Sequence, residues 1–248
     1  QGRLYALDAR GTTQKRTTPR WTFPALTSPT LGSIESTPAI EFGKIFFGTT
    51  VKSGDDRGRF YALNVDTGAT DWEFNGTTAW SQGSGAFIPA DDFISGATTA
   101  SSTLVGSAED CVFVANENRY ISALDAANGN LLWTTQELSV GVLGNLTFTT
   151  MRALNNAGAP VDTSVVMVPT ADGRFVGLYA NAAQTNRFGT RRCYEYRAAG
   201  DSTTASIAVG RNWMSAVDSA GYLYNFNNGS GVISPGIVPG DQVVVENN

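Results

Sequence analysis

Four carboxylates, one guanidinium and three aromatic rings fall in two stretches that follow no repeat: Asp55, Asp56 and Arg57, then Trp80, Phe87, Asp91, Asp92 and Phe93. Exposed rings flanked by carboxylates suit partner binding, because an aromatic side chain supplies a large contact area and a charge supplies register. The same carboxylates suit calcium best among metals, since that ion takes six to eight oxygens. No Asp-x-Asp-x-Asp-Gly spacing is present, neighbouring carboxylates are usually just solvated, and no cofactor is expected. The chain has no histidine, which removes Ser-His-Asp, Cys-His and HExxH chemistry. No other catalytic motif stands out, so no catalytic residue is assigned. Cys111 and Cys193 are the two cysteines, and a disulfide between them is one reading, two buried thiols the other. Asn75, Asn145 and Asn228 each open an Asn-x-Ser/Thr triplet, a pattern frequent by chance in a chain rich in Asn and Thr.

Those stretches need a scaffold, and the 248 residues supply one through internal repetition. Five strings align: GRLYALD at 2–8, GRFYALN at 58–64, NRYISALD at 118–125, GRFVGLY at 173–179 and GYLYNFN at 221–227. Each alternates bulky with small or polar residues, the period of a strand. A turn and an aromatic strand follow: Asp66 to Gly68 and then Trp72, Asn128 and Gly129 and then Trp133. Trp21 and Tyr194 stand at the matching places of the first and fourth copies, and the fifth is degenerate. A strand pair precedes each unit after the first: 37–40 with 44–47, 102–105 with 111–115, 145–150 with 164–168, and 205–209 with 213–217. Strands A to D then make four-stranded blades. The segments 234–237 and 240–245 copy the A–B pattern, so they are expected to complete the first blade and close a five-bladed ring. The competing reading is a window cut from a longer propeller.

Composition agrees with a single all-β domain over 1–248. Glycine is abundant at 27 residues, which fits many turns, and 42% of residues are apolar. The net charge of −5 is a poor match for a phosphate backbone, so nucleic acid is not an expected partner. No apolar run approaches the roughly 20 residues of a membrane span. No signal peptide is visible, so any targeting segment is expected to have been removed.

The string YALNVDTG at 61–68 with Trp72 resembles the pyrroloquinoline-quinone (PQQ) type propeller repeat. Leu124, Asp125, Gly129 and Trp133 repeat it, and YALD at 5–8 repeats its first half. The resemblance implies a β-propeller whose tryptophans pack between adjacent blades. It also implies one of two functions. One branch of the family holds quinone-dependent dehydrogenases with a calcium ion and often adjacent cysteines. The other holds noncatalytic scaffolds, including an outer-membrane assembly lipoprotein. This chain is short and lacks adjacent cysteines, so the scaffold branch is expected, in an extracytoplasmic setting and with a protein partner or larger assembly. A carbohydrate or surface-polymer module using Trp80, Phe87 and Phe93 is the third reading.

Overall fold

The computed structural model describes residues 2–9, 17–51, 58–75, 93, 95–116, 119–135, 138, 140–142, 144–155, 157, 159–186, 189–197, 207–209, 213–219 and 222–227. The chain forms two compact units, 1–94 and 95–248. The first holds β1 (Leu4–Leu7) paired with β2 (Pro19–Phe23), and a meander of β3 (Ala39–Glu41), β4 (Lys44–Gly48), β5 (Phe60–Asn64) and β6 (Thr70–Phe74). The second holds a meander of β7 (Thr98–Ala100), β8 (Cys111–Ala115), β9 (Ile121–Asp125) and β10 (Leu131–Thr135). It continues with β11 (Thr147–Leu154), β12 (Pro160–Pro169), β13 (Arg174–Tyr179) and β14 (Arg192–Arg197). Last come β15 (Ala208–Val209), β16 (Trp213–Val217) and β17 (Leu223–Asn227). Among the described residues all strand pairings are antiparallel between sequence neighbours, and three of the five sheets have the four strands expected of a β-propeller blade. The closing segments 234–237 and 240–245 lie outside the described residues.

One expected strand is corrected. Residues 102–105 form a single helical turn, α1 (Ser102–Val105), ended by Gly106 at φ 71°. The Asp110 carboxylate accepts the Ser102 N–H at 2.7 Å, and this holds the turn in place. Strand A of that sheet is β7, so the stretch outside the repeat that holds Trp80 to Phe93 ends before Thr98.

The repeat motif has a physical cause in the register. In four sheets a small residue of strand C lies opposite the large aromatic of strand D: Ala6 with Trp21, Ala62 with Trp72, Ala123 with Trp133, Gly177 with Tyr194. A register shift adjoins each pair, with the extra residue on strand D: Arg20, Asp71, Leu132 and Cys193. The bulge twists the strand and turns the ring onto its neighbours. At Gly177 an added Cβ would come within 2.9 Å of Tyr194 Cβ and 3.0 Å of Val165 Cγ1, so only glycine fits.

Two tryptophans also lock one sheet to the next. Trp21 on β2 donates its indole N–H to the Val65 carbonyl at 3.0 Å, just past β5. Trp133 on β10 donates to the Ala180 carbonyl at 2.8 Å, just past β13. The inter-blade role implied by the resemblance thus holds within each unit. Gly68, at φ 69°, lies against the Trp21 ring, where a Cβ would meet it at 2.5 Å. The preceding Asn64 accepts the N–H groups of Asp66 and Thr67, both at 3.0 Å, which fixes the C–D turn. Asp125 does the same for Ala127 at 2.8 Å.

In the second unit the sheet β11–β14 separates two cores. Val166, Val168, Val176 and Leu178 join a cluster with Cys111, Phe113, Ile121 and Trp133. The alternate residues Val165, Met167, Phe175 and Tyr179 join Cys193, Tyr194, Ile207, Met214 and Tyr224. Strand alternation forces this division, because successive side chains point to opposite faces. It also decides between the two readings of the cysteines. Cys111 and Cys193 are both buried, on opposite sides of one sheet, and no bond joins them. Cys111 instead lies 3.7 Å from the Ser107 hydroxyl, and burial raises its thiol pKa.

Candidate functional site

The two insertions that depart from the repeat are anchored at one point. Strand β4 ends at Gly48, and the next residue, Thr49, is almost fully buried. Thr49 N–H donates to the Arg59 carbonyl at 2.8 Å, while its hydroxyl accepts the Arg59 N–H at 3.1 Å. This clamp closes the loop between β4 and β5. The Thr49 carbonyl accepts the Phe93 N–H at 3.2 Å, which is where the insertion after β6 returns to the sheet. Thr50 donates its N–H to the Ser33 carbonyl at 2.8 Å, and its hydroxyl accepts the Ser33 N–H at 3.0 Å. That pair fixes the connection from β2 to β3. Three connections therefore meet on two adjacent threonines.

Packing reinforces the junction. Phe93 is 2% exposed and contacts Phe60 and Phe74, with ring centroids 5.9 Å and 6.2 Å apart. Gly48 makes room for it, since a Cβ there would lie 2.3 Å from Phe93 Cβ. The buried Ser36 hydroxyl accepts the Gly48 N–H at 2.8 Å. On the outer strand, Arg59 reaches Glu73 at 2.8 Å, a partly exposed pair that contributes on the order of 0–1 kcal/mol.

Three other sheets carry the same clamp without the insertion. Asn116 accepts the Tyr120 N–H at 3.1 Å, Thr170 the Arg174 N–H at 3.1 Å, and Asp218 the Tyr222 N–H at 2.9 Å. Each of these reaches four residues on, whereas Thr49 reaches ten. The short loop after β12 is stiffened further. Asp172 accepts from Arg174 at 2.9 Å and from Thr170 at 2.7 Å. Burial opposes ionisation of Asp172, but those hydrogen bonds and the Arg174 charge outweigh it and hold the carboxyl below its usual range. Arg174 also pairs with Glu195 at 3.1 Å, and Glu195 with Arg192 at 2.6 Å.

The sequence-predicted residues fare differently. Phe93 is not an exposed anchor; it is a core plug, because its ring fills the space over Gly48. Trp80, Phe87, Asp55, Asp56, Arg57, Asp91 and Asp92 lie outside the described residues. Among the described residues no three His, Cys, Asp or Glu side chains cluster as a metal site would. Asn145 is engaged structurally: its side-chain oxygen accepts the Gly96 N–H at 2.8 Å. Sequence reasoning missed the clamp. Its signal was present as a Thr, Asn or Asp directly after strand B in four copies: Thr49, Asn116, Thr170 and Asp218.

No curated protein matches the chain in sequence. Among solved structures, Sqt1 from Saccharomyces cerevisiae is similar with 13% identity and a TM-score of 0.60, covering 92% of this chain and 54% of its own. BamB from Moraxella catarrhalis has 16% identity and a TM-score of 0.47, covering 91% of this chain and 67% of its own. The computationally designed Ika8 protein has 12% identity and a TM-score of 0.48, covering 82% and 48%. The chain thus spans about half the length of Sqt1 and Ika8. The Sqt1 likeness concerns the fold alone. A family model described as outer membrane protein assembly factor BamB matches residues 73–233, more than half of the chain and three of its five repeat strings. The chain therefore belongs to the PQQ-type repeat propeller family of outer membrane protein assembly factor BamB.

Proposed function

We propose that this chain is a noncatalytic, extracytoplasmic propeller that serves as an assembly scaffold and holds a protein partner with its two insertions. The observation that carries this reading is the Thr49 junction. One rigid sheet anchors both long connections, and long loops on a rigid scaffold are where binding residues concentrate. Trp80 and Phe87 are the proposed anchors, with Asp55, Asp56, Arg57, Asp91 and Asp92 as the charged rim. The family description, an outer membrane protein assembly factor, supports both the scaffold role and the setting outside the cytoplasm. Among the described residues, no helix is long and apolar enough to cross a membrane, so attachment to a larger assembly would run through protein contacts or through other segments.

Native mass spectrometry of the protein isolated from its source, without reduction, tests this. A co-purifying protein that is lost in Trp80→Ala is the expected result. A partner retained by Trp80→Ala places the interface elsewhere. A bare monomer carrying a quinone-sized adduct and calcium overturns the scaffold reading in favour of a quinone-dependent oxidoreductase.

A further inference from the structure

Strand β4 is entered through a turn that breaks the rule of its own class. Glu41 pairs with Lys44 at the close of the β3–β4 hairpin, so the loop is the two residues Phe42 and Gly43. Their φ angles are 53° and 70°. A two-residue hairpin loop with both φ positive is filled by pairs such as Asn-Gly, because the left-handed region crowds a bulky side chain. Gly43 meets that requirement and Phe42 does not. Burial in the core does not offset the strain: Phe42 is half-buried and lies outside the cluster of Ile45, Phe47, Tyr61 and Leu63. Two residues before it, Ile40 is 64% exposed. A lone exposed isoleucine is ordinary, but a phenylalanine held at a glycine-type φ beside it is not.

The tip is also acidic. The Gly43 carbonyl accepts the Val65 N–H at 3.0 Å, which brings the β5–β6 turn against the hairpin. That turn exposes Asp66, and the hairpin exposes Glu41. Among the described residues neither carboxylate has an ion-pair partner. Lys44, opposite Glu41 in the register, is engaged by Asp71 instead.

We propose that the Phe42 hairpin is a second docking surface, for a folded protein partner whose apolar pocket is rimmed by lysine or arginine. Phe42 is the inserted ring, Ile40 widens the apolar contact, and Glu41 and Asp66 meet the basic rim. Stability alone favours asparagine or glycine at position 42, so a strained ring kept there serves a contact outside the sheet. The two-residue turn fixes the backbone that carries the ring, which limits the freedom lost on binding. The carboxylates set orientation and speed encounter with a basic surface. Thr49, which gathers the two insertions, lies past the far end of β4, about 17 Å from the hairpin along the strand. The hairpin thus extends the scaffold reading, since one sheet then holds a component at each end, and it stands on its own observations whether or not the insertions bind.

Urea unfolding and photo-cross-linking of the full chain test this. Asparagine adopts the left-handed region readily, so Phe42→Asn is expected to raise the urea midpoint above that of the wild type. A midpoint at or below the wild type, or a variant that does not fold, gives the ring a structural role and overturns the proposal. The photoreactive analogue p-benzoylphenylalanine, placed at position 42 in cells of the source, captures what faces the ring. The captured protein is identified by mass spectrometry, purified, and titrated by calorimetry against the wild type and the variants. Phe42→Asn is expected to weaken binding by about tenfold or more. Glu41→Gln combined with Asp66→Asn is expected to weaken it as well and to flatten its dependence on salt. Trp80→Ala is expected to leave it unchanged, which separates this surface from the one proposed for the insertions. The second surface is overturned by no capture, by capture of another copy of this acidic chain, by an affinity indifferent to Phe42→Asn or to the carboxylate pair, or by an equal loss in Trp80→Ala.

Discussion

The two faces of the β11–β14 sheet come from the same four strands and yet build opposite interiors. One is aliphatic, with Val166, Val168, Val176 and Leu178 packed beside Phe113 and Trp133. The other is rich in sulfur and phenol, with Met167, Tyr179, Tyr194 and Tyr224. The aliphatic face asks only for shape. Its one indole N–H is satisfied by Ala180, and the Arg191 guanidinium covers that ring at 4.4 Å from its centroid. The phenolic face asks for partners too, since a buried hydroxyl without one is expensive. Adjacent residues on one strand therefore work under different rules, and the two faces should fail differently.

The largest expected difference comes from deleting volume on the aliphatic face. Leu178→Ala is expected to cost about 2–5 kcal/mol, measured by urea unfolding, because Leu178 is fully buried and truncating it leaves a cavity in the core. A loss near zero would mean that this face is as soft as the other.

A middle-sized effect appears in alkali. Burial pushes the Tyr179 hydroxyl up to about 12 and raises Tyr194 as well. The folded state then holds its protons where the unfolded chain releases them. Stability is fully present below the unfolded pKa of 10.0 and is lost as pH rises from there towards 12. Urea midpoints between pH 8 and 12 check this slope, and Tyr179→Phe should flatten it. An unchanged slope would assign the alkaline loss to other groups, beginning with the Cys111 thiol, which burial also raises.

The smallest effect is expected from Met167→Leu on the phenolic face, at less than about 1.5 kcal/mol, since the swap conserves volume and methionine adapts to irregular gaps. Thermal unfolding distinguishes this from a destabilisation comparable to Leu178→Ala, which would erase the contrast between the faces.

Much of the fold was legible along the chain, and particular residues show why. The Ala and Leu of YAL, the Asn or Asp that follows, and the glycine of the turn are short-range requirements. Ala62 must be small because Trp72 lies opposite, and Asn64 must accept because its own turn presents N–H groups to it. Residues 102–105 misled because a run as short as Ser-Thr-Leu-Val fits a strand or a helical turn equally, and Asp110 decided between them. Phe93 misled because a phenylalanine in a long insertion reads the same whether it faces solvent or fills the space over a glycine 45 residues earlier.

By itself, then, the sequence determined the repeat, the strand period and the turn chemistry, since each depends on neighbours within a few residues. It also determined the absence of histidine chemistry, which needs no structure to establish. Only the tertiary structure decided that Cys111 and Cys193 stand on opposite sides of one sheet, and that Thr49 gathers the ends of two insertions. It alone brought Tyr196, Tyr224 and Asp218 into one buried cluster. Those facts join residues far apart in the chain, where packing between sheets, and no local preference, sets the distance.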